Sequence, residues 1–258
     1  MEVVICRTYD ALSRKAAAVV ADMVRAKPKA VLGFATGSSP LGLYKELIRL
    51  HKEEGLDFSK VTTFNLDEYV GLAPDHPQSY WHFMHENLFN HINVPKKKVH
   101  VPSGTSKNHA AFCAQYEKWI QEAGGIDVQI LGIGSDGHIA FNEPGSSLGS
   151  RTRVVTLTEQ TIDDNARFFV KRDDVPRHAI SMGVGTVLEA RKLVMVASGR
   201  NKAPALAAAI EGPVTCMITA SALQLHPDPI VFADEEAAGQ LKLADYYRWI
   251  QKNKPAVQ

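Results

Sequence analysis

Little in this sequence is present in excess, and what is scarce narrows the field. Only three of its 258 residues are cysteine, and Cys6, Cys113 and Cys216 form no CxxC pair. That excludes a disulfide framework and argues against a zinc knuckle or redox motif. Such thiols suit a reducing, cytoplasmic setting. Charge of one sign is lacking too: 29 basic and 28 acidic side chains leave a net charge of +1. A general nucleic-acid or membrane-surface binder would need a basic excess. No apolar run approaches the roughly 20 residues that cross a bilayer. The opening MEVVICRTYD has no basic-then-apolar signal pattern. Repeats, low-complexity tracts and Gly/Ser linkers are absent, so residues 1–258 read as one domain. At 45% hydrophobic residues, a chain of this length can bury a core without disulfides or a metal.

What is present is alternation. Short apolar runs at Val3–Cys6, Ala30–Ala35, Val61–Leu66, Val128–Gly132, Lys192–Ala197 and Pro229–Ala233 read as strands. Between them lie helical patterns. Leu12, Ala16, Val19, Val20, Met23 and Val24 make an amphipathic stripe that Pro28 ends. Further helices are expected over Leu41–His51, Tyr80–Asn90, Ala110–Glu122 and about Leu241–Gln251. Strands alternating with helices imply an α/β fold of βα units, a parallel sheet covered by helices on both faces, with right-handed crossovers. In such sheets ligands bind beyond the carboxyl ends of the strands.

Three segments follow strands and carry unusual polar residues. Thr36-Gly37-Ser38-Ser39-Pro40 precedes a helix, whose free N–H groups and nearby hydroxyls suit an anion. An ordinary helix cap would use the same residues. Phe64-Asn65-Leu66-Asp67-Glu68-Tyr69 sets two carboxylates at a strand end, where one could act as a general base or both could be solvated. Gly132-Ile133-Gly134-Ser135-Asp136-Gly137-His138 contains GxGxxG, but Pro144 and Gly145 follow too soon for the long helix of a dinucleotide site. Asp136, His138 and Glu143 remain within eight residues, an imidazole flanked by carboxylates and suited to proton shuttling.

Other matches are decoys. Gly145-Ser146-Ser147-Leu148-Gly149 fits GxSxG but lacks the preceding strand of a nucleophile elbow. His82 and His85 lie one helical turn apart without an HExxH arrangement, and packing or exposure explains them better than a metal. Lys96-Lys97-Lys98 reads as a solvated turn.

Together the segments closely resemble the glucosamine-6-phosphate deaminase family. The resemblance rests on ATGSSP, on TFNLDEYVGL followed by HPQSYWHFM, and on GIGSDGHIAFNEPGSSLGSRTR. ARFF, SMGVGTVLEA and LQLHPDPIVFADE add weaker support, and the whole spans about residues 30 to 235. The resemblance implies a Rossmann-like fold shared with ribose-5-phosphate isomerase and 6-phosphogluconolactonase. It implies a hydrolase or isomerase that converts glucosamine 6-phosphate and water to fructose 6-phosphate and ammonia, with no cofactor and no metal. By resemblance, His138 opens the pyranose ring, Asp136 and Glu143 set its orientation and charge, and Asp67 moves the proton between C2 and C1. Phosphate contacts would fall on Thr36, Gly37, Ser38, Arg167 and Lys202.

Longer family members are hexamers activated by N-acetylglucosamine 6-phosphate through basic residues after the SRTR stretch. Here Arg153 is followed by Val154 and Val155, which speaks against that activation and for a monomer or small homo-oligomer. The stretch at about 156–178 holds Arg167 and few apolar anchors, as a mobile lid would. A 6-phosphogluconolactonase-like hydrolase should lack Asp67-Glu68-Tyr69 and continue differently after Ala140. A non-catalytic sugar-phosphate sensor should carry a DNA-binding segment, and this chain begins directly with a strand.

Overall fold

The main strands are four to six residues of mostly β-branched and aliphatic side chains, too short for stable helices and bounded by turn residues. The computed structural model describes residues 1–255. In chain order its elements are β1 (Glu2–Cys6), α1 (Tyr9–Ala26), β2 (Val31–Phe34), α2 (Leu41–Glu54), β3 (Thr62–Asn65), β4 (Asp67–Tyr69), α3 (Tyr80–Asn87), β5 (Val99–His100) and α4 (His109–Glu122). There follow β6 (Val128–Leu131), β7 (Arg153–Thr156), α5 (Glu159–Ala166), β8 (His178–Ser181), α6 (Val184–Leu188), β9 (Lys192–Ala197), α7 (Ala203–Glu211), β10 (Pro229–Asp234) and α8 (Ala244–Lys252). Among the described residues no helix is long and apolar enough to cross a membrane.

Seven strands form a parallel sheet in the order β1-β10-β9-β6-β2-β3-β5. Successive side chains point to opposite faces, so both faces are apolar. Val31, Leu131, Leu193 and Val231 pack under α4, α6 and α7. Leu32, Ile130, Val194 and Phe232 pack under α1 and α2. Each such buried side chain contributes roughly 1.5–3 kcal/mol. The expected α1 stripe is largely the buried one, with Leu12, Ala16, Val20 and Val24 inside and Val19 and Met23 at the rim.

The topology reverses between β2 and β6. From β2 the chain proceeds outward through β3 to β5, and from β6 it proceeds the other way through β9 to β10. The loops after β2 and β6 therefore diverge and leave a crevice between them. At the opposite end of the sheet Asp127, just before β6 and 2% exposed, accepts hydrogen bonds from the Val31 N–H at 2.8 Å, Lys27 at 2.9 Å and Arg191 at 3.1 Å. That carboxylate staples the amino ends of the strands.

Two expectations need correcting. Asp67–Tyr69 is not a loop running off a strand. It is β4, in a second, antiparallel sheet ordered β4-β8-β7. Nor does the 156–178 stretch lack apolar anchors: Leu157, Ile162 and Val175 are buried with Tyr69, Phe141, Val155 and Ala179 in a third hydrophobic cluster.

Candidate active site

The crevice is a cleft of about 470 Å³ lined by the ends of β2, β3 and β6, by the 198–202 turn and by α5. Thr36, Gly37, Ser38, Asp67, His138, Arg167 and Lys202 all line it. These residues come from well-separated parts of the chain, and the two sheets and α5 bring them together. Asp136 and Glu143 lie behind His138 rather than on the cleft wall.

The loop after β2 presents anion donors to the cleft. The N–H groups of Gly37, Ser38 and Ser39 donate to no protein acceptor among the described residues, and Gly37 has φ +97°, where an L side chain is strained. Pro40 is the cap residue of α2 rather than its first helical residue. The helix start is not a free donor, because the Gly42 N–H donates to the Tyr9 hydroxyl at 2.7 Å. That hydroxyl lies 3.1 and 3.0 Å from the carbonyl oxygens of Ser38 and Ser39, so Tyr9 pins the loop from below. Lys202 lines the same cleft, partly buried; burial lowers its pKa, and the charges of Asp164, Arg167 and Asp136 bear on it. Arg167 follows α5, its guanidinium 4.7 Å above the Phe168 ring.

Asp67, buried and first in β4, lines the same cleft. Burial, then repulsion from Glu68, pushes its pKa up to about 8. Burial also raises Glu68, to about 7, against three N–H groups that hold its charged form. Those donors are Tyr69 at 2.9 Å and Tyr80 and Trp81 at 3.0 Å, the latter two at the start of α3. Three donors make Glu68 the more acidic partner, so it carries the charge that keeps the proton on Asp67.

The loop after β6 is built around an imidazole. A Cβ on Gly134 would meet the His138 ring at 2.5 Å, so the second glycine of GxGxxG makes room for this ring. His138 Nδ1 lies 2.7 Å from Asp136 Oδ1 and 3.6 Å from Glu143 Oε2. Neither approach is well directed, and Nδ1 and Glu143 Oε2 are left as buried atoms without an aligned partner. Burial would raise Asp136, but the imidazole and the loop amides override it and hold its carboxyl below the usual range. The other Glu143 oxygen accepts from the Thr158 N–H at 3.1 Å, the residue that caps α5. Asn142 fastens the loop through Ile139 and Met182 carbonyls at 3.0 and 2.8 Å. Ala140, on the cleft wall, has φ +51°, the only positive value among the described non-glycine residues.

The sequence offered no metal cluster, yet Asp136, His138 and Glu143 each bring a ligand atom within 4.8 Å of the others. Nδ1 and Oδ1 stand 2.7 Å apart. Two donors on one tetrahedral zinc stand about 3.3 Å apart. The decoys behave as decoys: His85 stacks on Trp81 at 3.6 Å and bonds its carbonyl, and Lys96–Lys98 is an exposed turn.

Sequence reasoning missed Tyr80, Ser198, Asn201 and Asp164, all of which line the cleft. Tyr80 stacks on Phe141 at 5.9 Å, and its phenol lies by the phenol of Tyr69 and the hydroxyl of Thr36. HPQSYWHFM was its only signal, since Ser79 caps the helix that presents it. Asp164 accepts from Ser135 at 2.7 Å and ties α5 to the loop that carries His138.

A family model described as glucosamine-6-phosphate isomerases/6-phosphogluconolactonase matches residues 7–229. The chain is 53% identical over 238 residues to a glucosamine-6-phosphate deaminase of Thermoanaerobacter pseudethanolicus, covering 92% of this chain and 94% of that one. It is 54% identical over 258 residues to the glucosamine-6-phosphate deaminase of Rhodococcus jostii, covering 100% and 99%. A solved structure of a monomeric glucosamine-6-phosphate deaminase superposes with a TM-score of 0.92 at 46% identity, covering 93% and 100%. The 6-phosphogluconolactonase of Trypanosoma brucei, at 20% identity and a TM-score of 0.75 over 93% and 98%, shares the fold.

Proposed function

We propose a function from the premise that this chain belongs to the glucosamine-6-phosphate isomerase/6-phosphogluconolactonase family: it converts glucosamine 6-phosphate and water to fructose 6-phosphate and ammonia. The single observation that carries the residue roles is that Asp67 and His138 line one cleft together with candidate phosphate donors.

The chemistry runs in order within that cleft. The Gly37–Ser39 amides, Arg167 and Lys202 take the phosphate dianion. His138 receives the proton of the anomeric hydroxyl and returns one to the ring oxygen, which leaves an aldehyde at C1. Asp136 and Glu143 hold the imidazole and stabilise its transient charge. The proton at C2 is now acidic. Asp67 removes it as C1 becomes an enol carbon and O1 takes up a proton, then returns its proton to C1 while the amino nitrogen gives up one in exchange for the proton gained at O1. The product is an imine at C2. Water adds there, ammonia leaves, and the C2 carbonyl of fructose 6-phosphate remains. Isomerase coupled to deamination describes this better than hydrolase, because water enters only at the imine. Acid–base catalysis of this kind contributes roughly 10²–10⁴-fold per group.

Asp67 is well matched to the step. A carboxylate with a raised pKa is a stronger base than a solvated one, and its burial keeps competing water away. The stretch at 156–178 serves as the lid: its helix α5 carries Arg167 at one end and meets Glu143 at the other. A cytoplasmic monomer or small homo-oligomer fits the three free thiols and the monomeric solved relative. Activation by N-acetylglucosamine 6-phosphate has no place in this reading, since Arg153 turns inward to bond Asn142 at 2.9 Å and Ser146 at 3.2 Å.

An ammonia assay with glucosamine 6-phosphate, run beside 6-phosphogluconolactone hydrolysis, tests the proposal. Ammonia release with background lactone hydrolysis is the expected result. The reverse pattern overturns it.

A further inference from the structure

Resting on this reading of the phosphate donors of the cleft, we infer that Asp234 is a positioning residue for phosphate recognition. From outside the cleft it fixes the turn that presents Asn201 and Lys202. Asp234 ends β10 and is 8% exposed, and it does not line the cleft, whereas Ser198, Asn201 and Lys202 do. Its carboxylate is fully engaged. The Gly199 N–H lies 3.1 Å from both oxygens, the Ala237 N–H donates at 2.8 Å, and the Ser198 hydroxyl donates to the remaining position.

The route from this carboxylate to the ligand is short. Gly199 has φ +89°, a conformation that side-chain-bearing residues avoid and that a glycine leaves readily unless something holds it. Its carbonyl accepts the Lys202 N–H at 3.0 Å, closing the single turn Arg200–Lys202 that leads into α7. Asp234 thus reaches Lys202 through two hydrogen bonds and one backbone turn. The charges that bear on the Lys202 ammonium are Asp164, Arg167 and Asp136, so Asp234 works through the backbone and not as a counter-ion. The ADE that closes LQLHPDPIVFADE thereby holds the cationic turn of GRNKA in place.

Asp127 supplies the control within the same molecule. It too is a buried aspartate with three donors, but it sits at the opposite end of the sheet from the cleft. A merely structural role for Asp234 should make the two behave alike.

The test uses the full chain and the variants Asp234→Asn, Ser198→Ala and Asp127→Asn. Inorganic phosphate affinity is measured by calorimetry, and KM and kcat for glucosamine 6-phosphate by ammonia release. Asp234→Asn should weaken inorganic phosphate about ten-fold and raise KM by a similar factor, with kcat within about two-fold. Ser198→Ala should shift both in the same direction by about two- to three-fold. Asp127→Asn should lower Tm and leave both unchanged. A folded Asp234→Asn with unaltered phosphate affinity and KM overturns the inference, whether or not its Tm falls as that of Asp127→Asn does. Where Asp234→Asn does not fold, unchanged values in Ser198→Ala overturn it. If the parent chain binds inorganic phosphate but releases no ammonia, the deaminase reading fails while the calorimetry still decides the role of Asp234.

Discussion

Two aspartates serve this cleft, one on its wall and one behind His138, and the same side chain is driven in opposite directions. Asp67 is buried beside another carboxylate with no cation near it, and its pKa rises to about 8. Asp136 is less buried and lies 2.7 Å from an imidazole, and its pKa falls. One environment makes a base that wants a proton, the other a fixed negative charge that never takes one. Residue type alone assigns neither role; the neighbours do.

The contrast breaks most sharply if Asp67 is neutralised. Asp67→Asn should cost about 10⁴-fold or more in kcat and abolish deuterium exchange at C2, while inorganic phosphate still binds. Surviving exchange would mean that another group takes the C2 proton. On the other side, His138→Gln should cost about 10²–10³-fold with the cyclic substrate. An open-chain analogue should be largely spared, because it needs no ring opening; equal losses with both substrates would remove His138 from that step. The smallest effect is on the pH profile. Asp67 must lose its proton to act, so kcat/KM should climb with pH until about 8, well above the ordinary carboxylate range. Glu68→Gln removes the neighbouring charge and should move that rising limb to lower pH by a fraction of a unit, since burial is the larger cause of the shift. A limb that stays put would show that Glu68 matters only as an acceptor at the start of α3.

Legibility followed the same division. The parallel sheet could be read because its strands are continuous apolar runs separated by helical stripes, as Val31–Phe34 and Lys192–Ala197 illustrate. The second sheet could not. Asp67–Tyr69, Arg153–Thr156 and His178–Ser181 are three or four residues long, polar in part, and become strands only by pairing with one another across long stretches of chain. Leu157, Ile162 and Val175 looked sparse as a pattern because they meet in space, not in a periodic stripe. In the site, Asp136, His138 and Glu143 were visible because one loop carries them. Tyr80, Asn201 and Asp164 were not, because each owes its place to a different element closing on the crevice.

Ala140 turns this architecture into a statement about durability. Its left-handed backbone, two residues past the imidazole, forgoes about 1 kcal/mol that a relaxed turn would keep. Glycine there would accept the same bend without strain and so raise the melting point, yet it would also free the segment that joins His138 to Phe141. Efforts to harden this catalyst against heat are therefore better aimed at the helices packed on the outer faces of the sheet than at its one contorted alanine.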